Sequence, residues 1–287
     1  MLAIYKKELR SYFTTMIGFI YAALFLAVVS IYFVVYNIQT SYSKFEYVLA
    51  DIRFLYVILI PILTMRLIAE EKKQKTDQLL LTSPISVYKI VIGKYFAAYT
   101  MYLIPMAVTA FYPIIISQYG TVNFATAYSS IIGFVLLGAT YMSLGLFVSS
   151  VTENQVIALI VTAIALLVNQ ILPGLAGVVP SDYRTAWIVI AALVIIICLL
   201  AQLAMHNVII TLILGVVGEI GACVIYFVVP SLYDGIVAKI LSVFSISDKY
   251  DNFVEGILDI NAILYFFSII VMFLLLTIQV IKKKRWN

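Results

Sequence analysis

The sequence predicts an all-α membrane protein, on three observations. Of its 287 residues, 64% are hydrophobic and 11% charged, and mean hydropathy is +1.10. A soluble domain is nearer half apolar, so polar surface is too scarce here to cover a water-soluble globule. The apolar residues gather in runs long enough to cross a bilayer, which takes about 20 residues. The cations divide unevenly between the loops, as they do when one side of a membrane is cytoplasmic.

Eight spans are expected: Thr14–Tyr36, Phe54–Ala69, Tyr95–Ser117, Ala127–Val148, Gln155–Leu172, Ala186–Ala204, Val208–Val229 and Ala262–Ile281. The second is short and extends back into the polar loop before it. The sixth and seventh are parted only by the turn "MHN". With eight spans both termini share one side, and that side holds 13 of the 18 Lys and Arg residues. The other holds Lys44, Arg53, Arg184, Lys239 and Lys249 together with eight acids. Cationic loops stay inside, so both termini are expected in the cytoplasm. Merging spans six and seven would send the terminal "KKKR" out. The range is therefore six to eight spans, with eight favoured. Cys198 and Cys223 lie far apart in apolar runs and predict neither a disulfide framework nor a metal site. The basic start, "MLAIYKKELRSYF", leads into a full-length span without a small-residue cleavage site, so no secretory signal is expected. No internal repeat is visible. Residues 14–287 form a single transmembrane domain on this reading.

Three segments are not spans. Residues 1–13 predict an amphipathic helix. Leu2, Tyr5, Leu9, Tyr12 and Phe13 share a stripe, and Lys6, Lys7 and Arg10 lie beside and opposite it. In residues 70–84, Glu71 and Lys75 are four apart and Glu70 and Lys73 three apart, as helix pairs would be. Ser83 can cap a new helix that opens at Pro84. A helical hairpin leaving the membrane results, with Leu79, Leu80 and Leu81 at its tip. Two readings of those leucines stay open: docking in a groove on a soluble partner, or dipping into lipid. Residues 231–260 carry Leu232, Ile236, Ile240 and Phe244, then Phe253, Ile257 and Ile260. This predicts two short amphipathic or re-entrant helices at the outer face, open to an extracytoplasmic accessory protein.

The run "LTMRLIAEEKKQKTDQLLLTSPISVYKIVIGKY" resembles ABC-2 type transporter permeases, most of all the branch of the gliding-motility and nitrous-oxide-reductase maturation permeases. Thr76, Leu79, Leu80, Leu81, Thr82, Ser83, Pro84, Gly93 and Lys94 fit its pattern. "LGLFVSSVTENQVIAL" resembles the junction of the fourth and fifth spans. "SISDKYDNFVEGILDINAILYFFSI" with "KKKRW" resembles the final loop, span and tail. The matches are spread across most of the chain, except Ala176–Val229. The chain departs from the family at Lys75, where Gly is usual, and at Gln78, where Glu is usual. Members of the branch commonly have six spans, so a hairpin over Ala186–Val229 would be an insertion.

The resemblance implies an exporter-type (type V) ABC-2 transmembrane domain in a prokaryotic cytoplasmic membrane. It implies pairing with a second permease subunit, identical or not, and with two cytoplasmic P-loop ATPase subunits. Residues 70–84 would be the coupling hairpin, with Glu70, Glu71, Lys72, Lys75, Thr76 and Gln78 through Pro84 as its contacts. Residues 1–13 would be the connecting helix. The chain has no G-x-x-x-x-G-K-[ST] loop. ATP and Mg would sit in the partner, no cofactor on this chain, and no nucleic-acid partner is expected.

Glu219, in "GVVGEIGA", falls mid-span, where an isolated charge costs about 2.5–3.5 kcal/mol. It is either an ion site or a neutral carboxyl hydrogen-bonded to a neighbour. Asn169 and Gln170 either line an outer vestibule or cap the fifth span. No catalytic constellation is visible. Two other function classes remain: a secondary transporter using Glu219, and a non-transporting scaffold or sensor.

Overall fold

A computed structural model describes residues 1–40, 42–76, 85–178, 187, 215 and 235–286. Apart from residues 187 and 215, the expected spans Ala186–Ala204 and Val208–Val229, with Glu219, lie outside the described residues, as do residues 77–84. All regular structure among the described residues is helical. The chain divides into two compact units, Met1–Gln170 with Ile246–Asn287, and Ile171–Ser245.

In the first unit, α1 (Leu2–Thr14) ends at an extended Thr15, and α2 (Met16–Phe33) follows directly. The last turns of this span widen into a π-helix, Val34–Gln39. The second span is segmented: α3 (Phe45–Ile52), a 3₁₀ turn at Arg53–Leu55, α4 (Tyr56–Thr64) and α5 (Ala69–Lys73). Then come α6 (Val87–Thr109), α7 (Tyr112–Ile116), α8 (Phe124–Val151) and α9 (Gln155–Val178). The unit closes with α11 (Asp248–Val254) and α12 (Ile260–Trp286). In the second unit the end of α9 and α10 (Ile236–Phe244) are described.

Six helices or helix runs among the described residues are long and apolar enough to cross a membrane: Met16–Gln39, Phe45–Lys73, Val87–Ile116, Phe124–Val151, Gln155–Leu175 and Ile260–Lys283. They correspond to six of the expected spans. The second begins nine residues before the expected Phe54, because Glu46 and Asp51 interrupt its hydropathy. Phe45, Val48, Leu49 and Ile52 still recur at helical spacing and are buried. α8 is the hub. Its most apolar window is 72% buried, against 22% for the fifth span and 17% for the last, and it packs against α3, α4, α6, α11 and α12. A Cβ on Gly145 would lie 2.9 Å from the Thr64 Cβ, so glycine is what lets α4 approach α8 so closely.

The expected second outer helix ends earlier than its apolar spacing suggests. Tyr250 and Phe253 are buried on α11, but Gly256 turns left-handed (φ +85) and stops the helix. Ile257 falls in the loop, and Ile260 opens α12 with the Asp259 carboxylate accepting from Asn261 N–H at 2.8 Å.

Candidate functional site: a buried ionic joint at the base of the second-to-third-span loop

The second span breaks just before its charged end. Pro61 removes one helical N–H donor, and Ile68 (φ −125, ψ −39) leaves the helix between α4 and α5. Ser149 on α8 repairs the break. Its Oγ accepts from the Ile68 and Ala69 N–H groups at 3.1 Å each and donates to the Met65 carbonyl at 3.1 Å. One hydroxyl thus satisfies backbone groups that would otherwise be orphaned inside the protein.

After this break α5 carries Glu70, Glu71 and Lys72. Glu71 turns inward to Lys94, two turns into α6. The Lys94 ammonium is 1% exposed and has three acceptors: Glu71 Oε1 at 2.9 Å, Glu8 Oε1 at 2.9 Å and the Leu67 carbonyl at 2.7 Å. An ammonium has three N–H donors, so all are used. Lys7 flanks the pair, 3.3 Å from Glu71 and 3.9 Å from Glu8. Two carboxylates and two ammoniums gather, and their charges cancel, as buried ions require.

A second cation braces the same corner. Arg66 Nη1 donates to Thr15 Oγ1 at 2.9 Å, Nη2 donates to Ser11 Oγ, and Nε faces Glu70 Oε2 at 3.6 Å. Its guanidinium stacks 5.1 Å from the Tyr12 ring. The Tyr12 hydroxyl donates to the Leu63 carbonyl at 2.6 Å, and burial pushes its pKa far up, so it stays a neutral donor. Lys72 reaches the Ser150 carbonyl. Four elements (α1, the end of the second span, the start of the third and the end of the fourth) are thereby fixed to one another.

α5 ends in a Schellman motif, with Thr76 N–H on the Glu71 carbonyl at 2.9 Å and Lys75 N–H on the Lys72 carbonyl at 3.1 Å. Lys75 takes the left-handed position (φ 57), which favours glycine. This is the position at which the resemblance leads one to expect Gly, so the departure changes the residue and keeps the turn. Of the expected hairpin residues, Glu70, Glu71, Lys72, Lys75 and Thr76 are brought to this corner. Gln78, Leu79, Leu80, Leu81, Thr82, Ser83 and Pro84 lie outside the described residues.

Sequence reasoning missed Glu8, Ser149 and the pairing of Lys94. Signals existed. Glu8 is the only acid in the first 45 residues, and Lys94 stands alone in "VIGKYFAAY". The adjacent Gly93 has a reason too: a Cβ there would sit 3.3 Å from Ile4 Cγ2 and the Met1 carbonyl, so glycine lets α1 lie on α6. On α1 the buried residues are Ile4, Glu8 and Tyr12. The expected apolar stripe is therefore divided: Tyr12 joins the protein-packed face, while Leu2 and Phe13 stay exposed.

The far end of the second span is held differently. Arg53 Nη1 pairs with Asp251 Oδ1 at 2.5 Å, and the Arg53 carbonyl accepts from Gln170 Nε2 at 3.2 Å. Asn169 is clasped: its Oδ1 accepts from Tyr141 Oη at 2.8 Å and Ser247 N–H at 3.2 Å, and its carbonyl accepts from Ser247 Oγ at 3.1 Å. These bonds make Asn169 a structural tie at the end of the fifth span. Among the described residues, no group of three His, Cys, Asp or Glu side chains is gathered as a metal would need.

Spans and joint together define a multi-pass α-helical membrane protein with a rigidly anchored charged loop between its second and third spans. Residues 29–230 match the family model described as ABC-2 family transporter protein. The match covers well over half of the chain, including 176–229, and the protein belongs to that family. It is accordingly a transmembrane permease component of an ABC transporter, and membership of the family implies partnership with an ATPase subunit and a membrane dimer. No curated protein matches the chain.

Proposed function

We propose that this chain is the permease subunit of an ATP-driven exporter in a prokaryotic cytoplasmic membrane, within the gliding-motility and nitrous-oxide-reductase maturation branch. Residues 70–84 receive the stroke of two cytoplasmic P-loop ATPase subunits that hold ATP and Mg. The permease itself pairs with an identical or related copy, and both termini face the cytoplasm. The observation that carries this reading is the Lys94 clasp. A loop that only connected two spans would need no buried ammonium with three acceptors at its base. A lever does, because force applied at its tip reaches the spans only if its base cannot hinge freely. Glu71 passes the load to α6 and, through Lys94, to Glu8 on α1. Ser149 passes it to α8.

The test uses the chain with the ATPase that co-purifies with it. Leu80→Asp at the tip should leave insertion intact and abolish permease-dependent ATP hydrolysis. Lys75→Cys should react with an impermeant maleimide in inverted vesicles and not in intact cells. Labelling from the cell exterior, or an undiminished ATPase response in the Leu80 variant, removes the reading.

A further inference from the structure

At the end of the bundle opposite the Lys94 joint, two cavities meet at Ser43. One, of about 500 Å³, is walled by Phe33, Ile38, Ile115 and Ile116, with Asn37 in its lining. The other, of about 290 Å³, is polar and lined by Lys44, Glu46, Asn123, Thr126 and Glu255 among others. An apolar chamber beside a mixed-charge chamber has the form of an amphiphile's site, and the larger one falls in the size range of ligand pockets, roughly 300–1,000 Å³.

The local structure is built for an occupant. Asn37 sits in the π-helical stretch Val34–Gln39, and such widened turns are frequent at functional sites. The side chain is 7% exposed. Its Nδ2 donates to the Tyr42 carbonyl at 2.6 Å, but its Oδ1 is buried without a donor. A buried acceptor left unpaired costs free energy, so the packing around Asn37 is not closed on itself. Lys44 Nζ lies 5.8 and 5.5 Å from the Tyr42 and Tyr47 ring centres, which pins the cation at the rim. Glu46 is buried and Glu255 exposed in the same chamber.

We propose that these adjoining cavities, which share Ser43, bind a phosphatidylethanolamine-type lipid. The phosphate meets Lys44, the primary ammonium donates to Glu46 and Glu255, and an acyl chain runs along Phe33, Ile38, Ile115 and Ile116. Charge complementarity selects this headgroup. A purely anionic headgroup would face the two carboxylates uncompensated. A choline headgroup carries no N–H to donate to the carboxylates. The site lies within one copy of the chain and does not depend on the exporter reading.

The full chain, reconstituted in phosphatidylcholine nanodiscs with a trace of phosphatidylethanolamine bearing an acyl-chain diazirine, tests this. Photolysis should mark Ile38, Ile115 or Tyr119. Unlabelled phosphatidylethanolamine should compete, while phosphatidylglycerol should not. Lys44→Gln and Glu255→Gln, both at exposed positions, should each weaken labelling about tenfold, the worth of one charge-assisted hydrogen bond. Ile115→Trp should block the apolar chamber independently of the charges. Cross-links confined to other surfaces, equal competition by phosphatidylglycerol, or labelling unchanged in all three variants would overturn the assignment.

Discussion

The two ends of the second span carry ion pairs of opposite character. At one end Lys94 is sealed, 1% exposed, with every donor used by Glu8, Glu71 and Leu67. At the other, Arg53 and Asp251 meet at 2.5 Å with side chains 29% and 47% exposed. Distance alone would rank the Arg53 pair as the stronger, 2.5 Å against 2.9 Å, but burial decides otherwise. Water screens the exposed pair, which is worth at most about 1 kcal/mol. The sealed pair cannot lose a partner without stranding a charge, at a cost of about 3–5 kcal/mol. A buried joint adds little net stability over an apolar one, but it tolerates only one arrangement. On the exporter reading, that property suits a base through which motion is passed. An exposed pair tethers α11 loosely.

The largest expected effect breaks the sealed end. Lys94→Met should lower stability by about 3–5 kcal/mol, seen as early thermal unfolding in detergent, because Glu8 and Glu71 lose their shared cation. Adding Glu8→Gln and Glu71→Gln should restore most of that stability. On the exporter reading it should not restore permease-dependent ATP hydrolysis. If the triple variant recovers both, the joint is only a fold element.

Next comes Ser149→Ala, which strands the Ile68 and Ala69 N–H groups and should cost about 1–3 kcal/mol. Hydrogen exchange should rise at 65–69 and not at the far end. Gly145→Ala should cost a similar amount, about 1–3 kcal/mol, by driving Thr64 off α8. Thr64→Gly should rescue it, which would distinguish overpacking from lost helix flexibility.

Smaller effects sharpen the comparison. Lys75→Gly should stabilise by up to about 1 kcal/mol, since glycine takes φ 57 without strain. Asp251→Asn should change stability by less than about 1 kcal/mol. Partial burial raises the Asp251 carboxyl pKa above its ordinary value, against the opposing pull of Arg53. The folded state therefore holds that proton more tightly than the unfolded chain. Its contribution to stability falls as pH rises from the ordinary aspartate value through the raised folded one, and is flat above it. The Asn variant should lose this slope in unfolding curves taken across that window. An unchanged slope would mean that another acid carries it.

Span number among the described helices, span position and the charged loop are written in hydropathy and charge order, which act locally along the chain. That is why six expected spans coincide with six observed ones, and why the Glu70–Thr76 stretch stood out. The start of the second span was less legible, because Glu46 and Asp51 mask an apolar face that shows only at helical spacing. The division of the α1 stripe was not legible at all: Tyr12 and Phe13 are adjacent, and hydropathy alone would bury Phe13 first, yet the Leu63 carbonyl and Arg66 that α1 meets draw the more polar Tyr12 inward and leave Phe13 exposed. By itself, then, the sequence determined a helical membrane domain with a charged corner after its second span. Tertiary packing alone decided which charge meets which, joining Glu8 to Lys94 across 86 positions and Ser149 to Ile68 across 81. Hydropathy records how much a residue resists water; which ion or backbone group replaces that water depends on what the folded chain brings within reach.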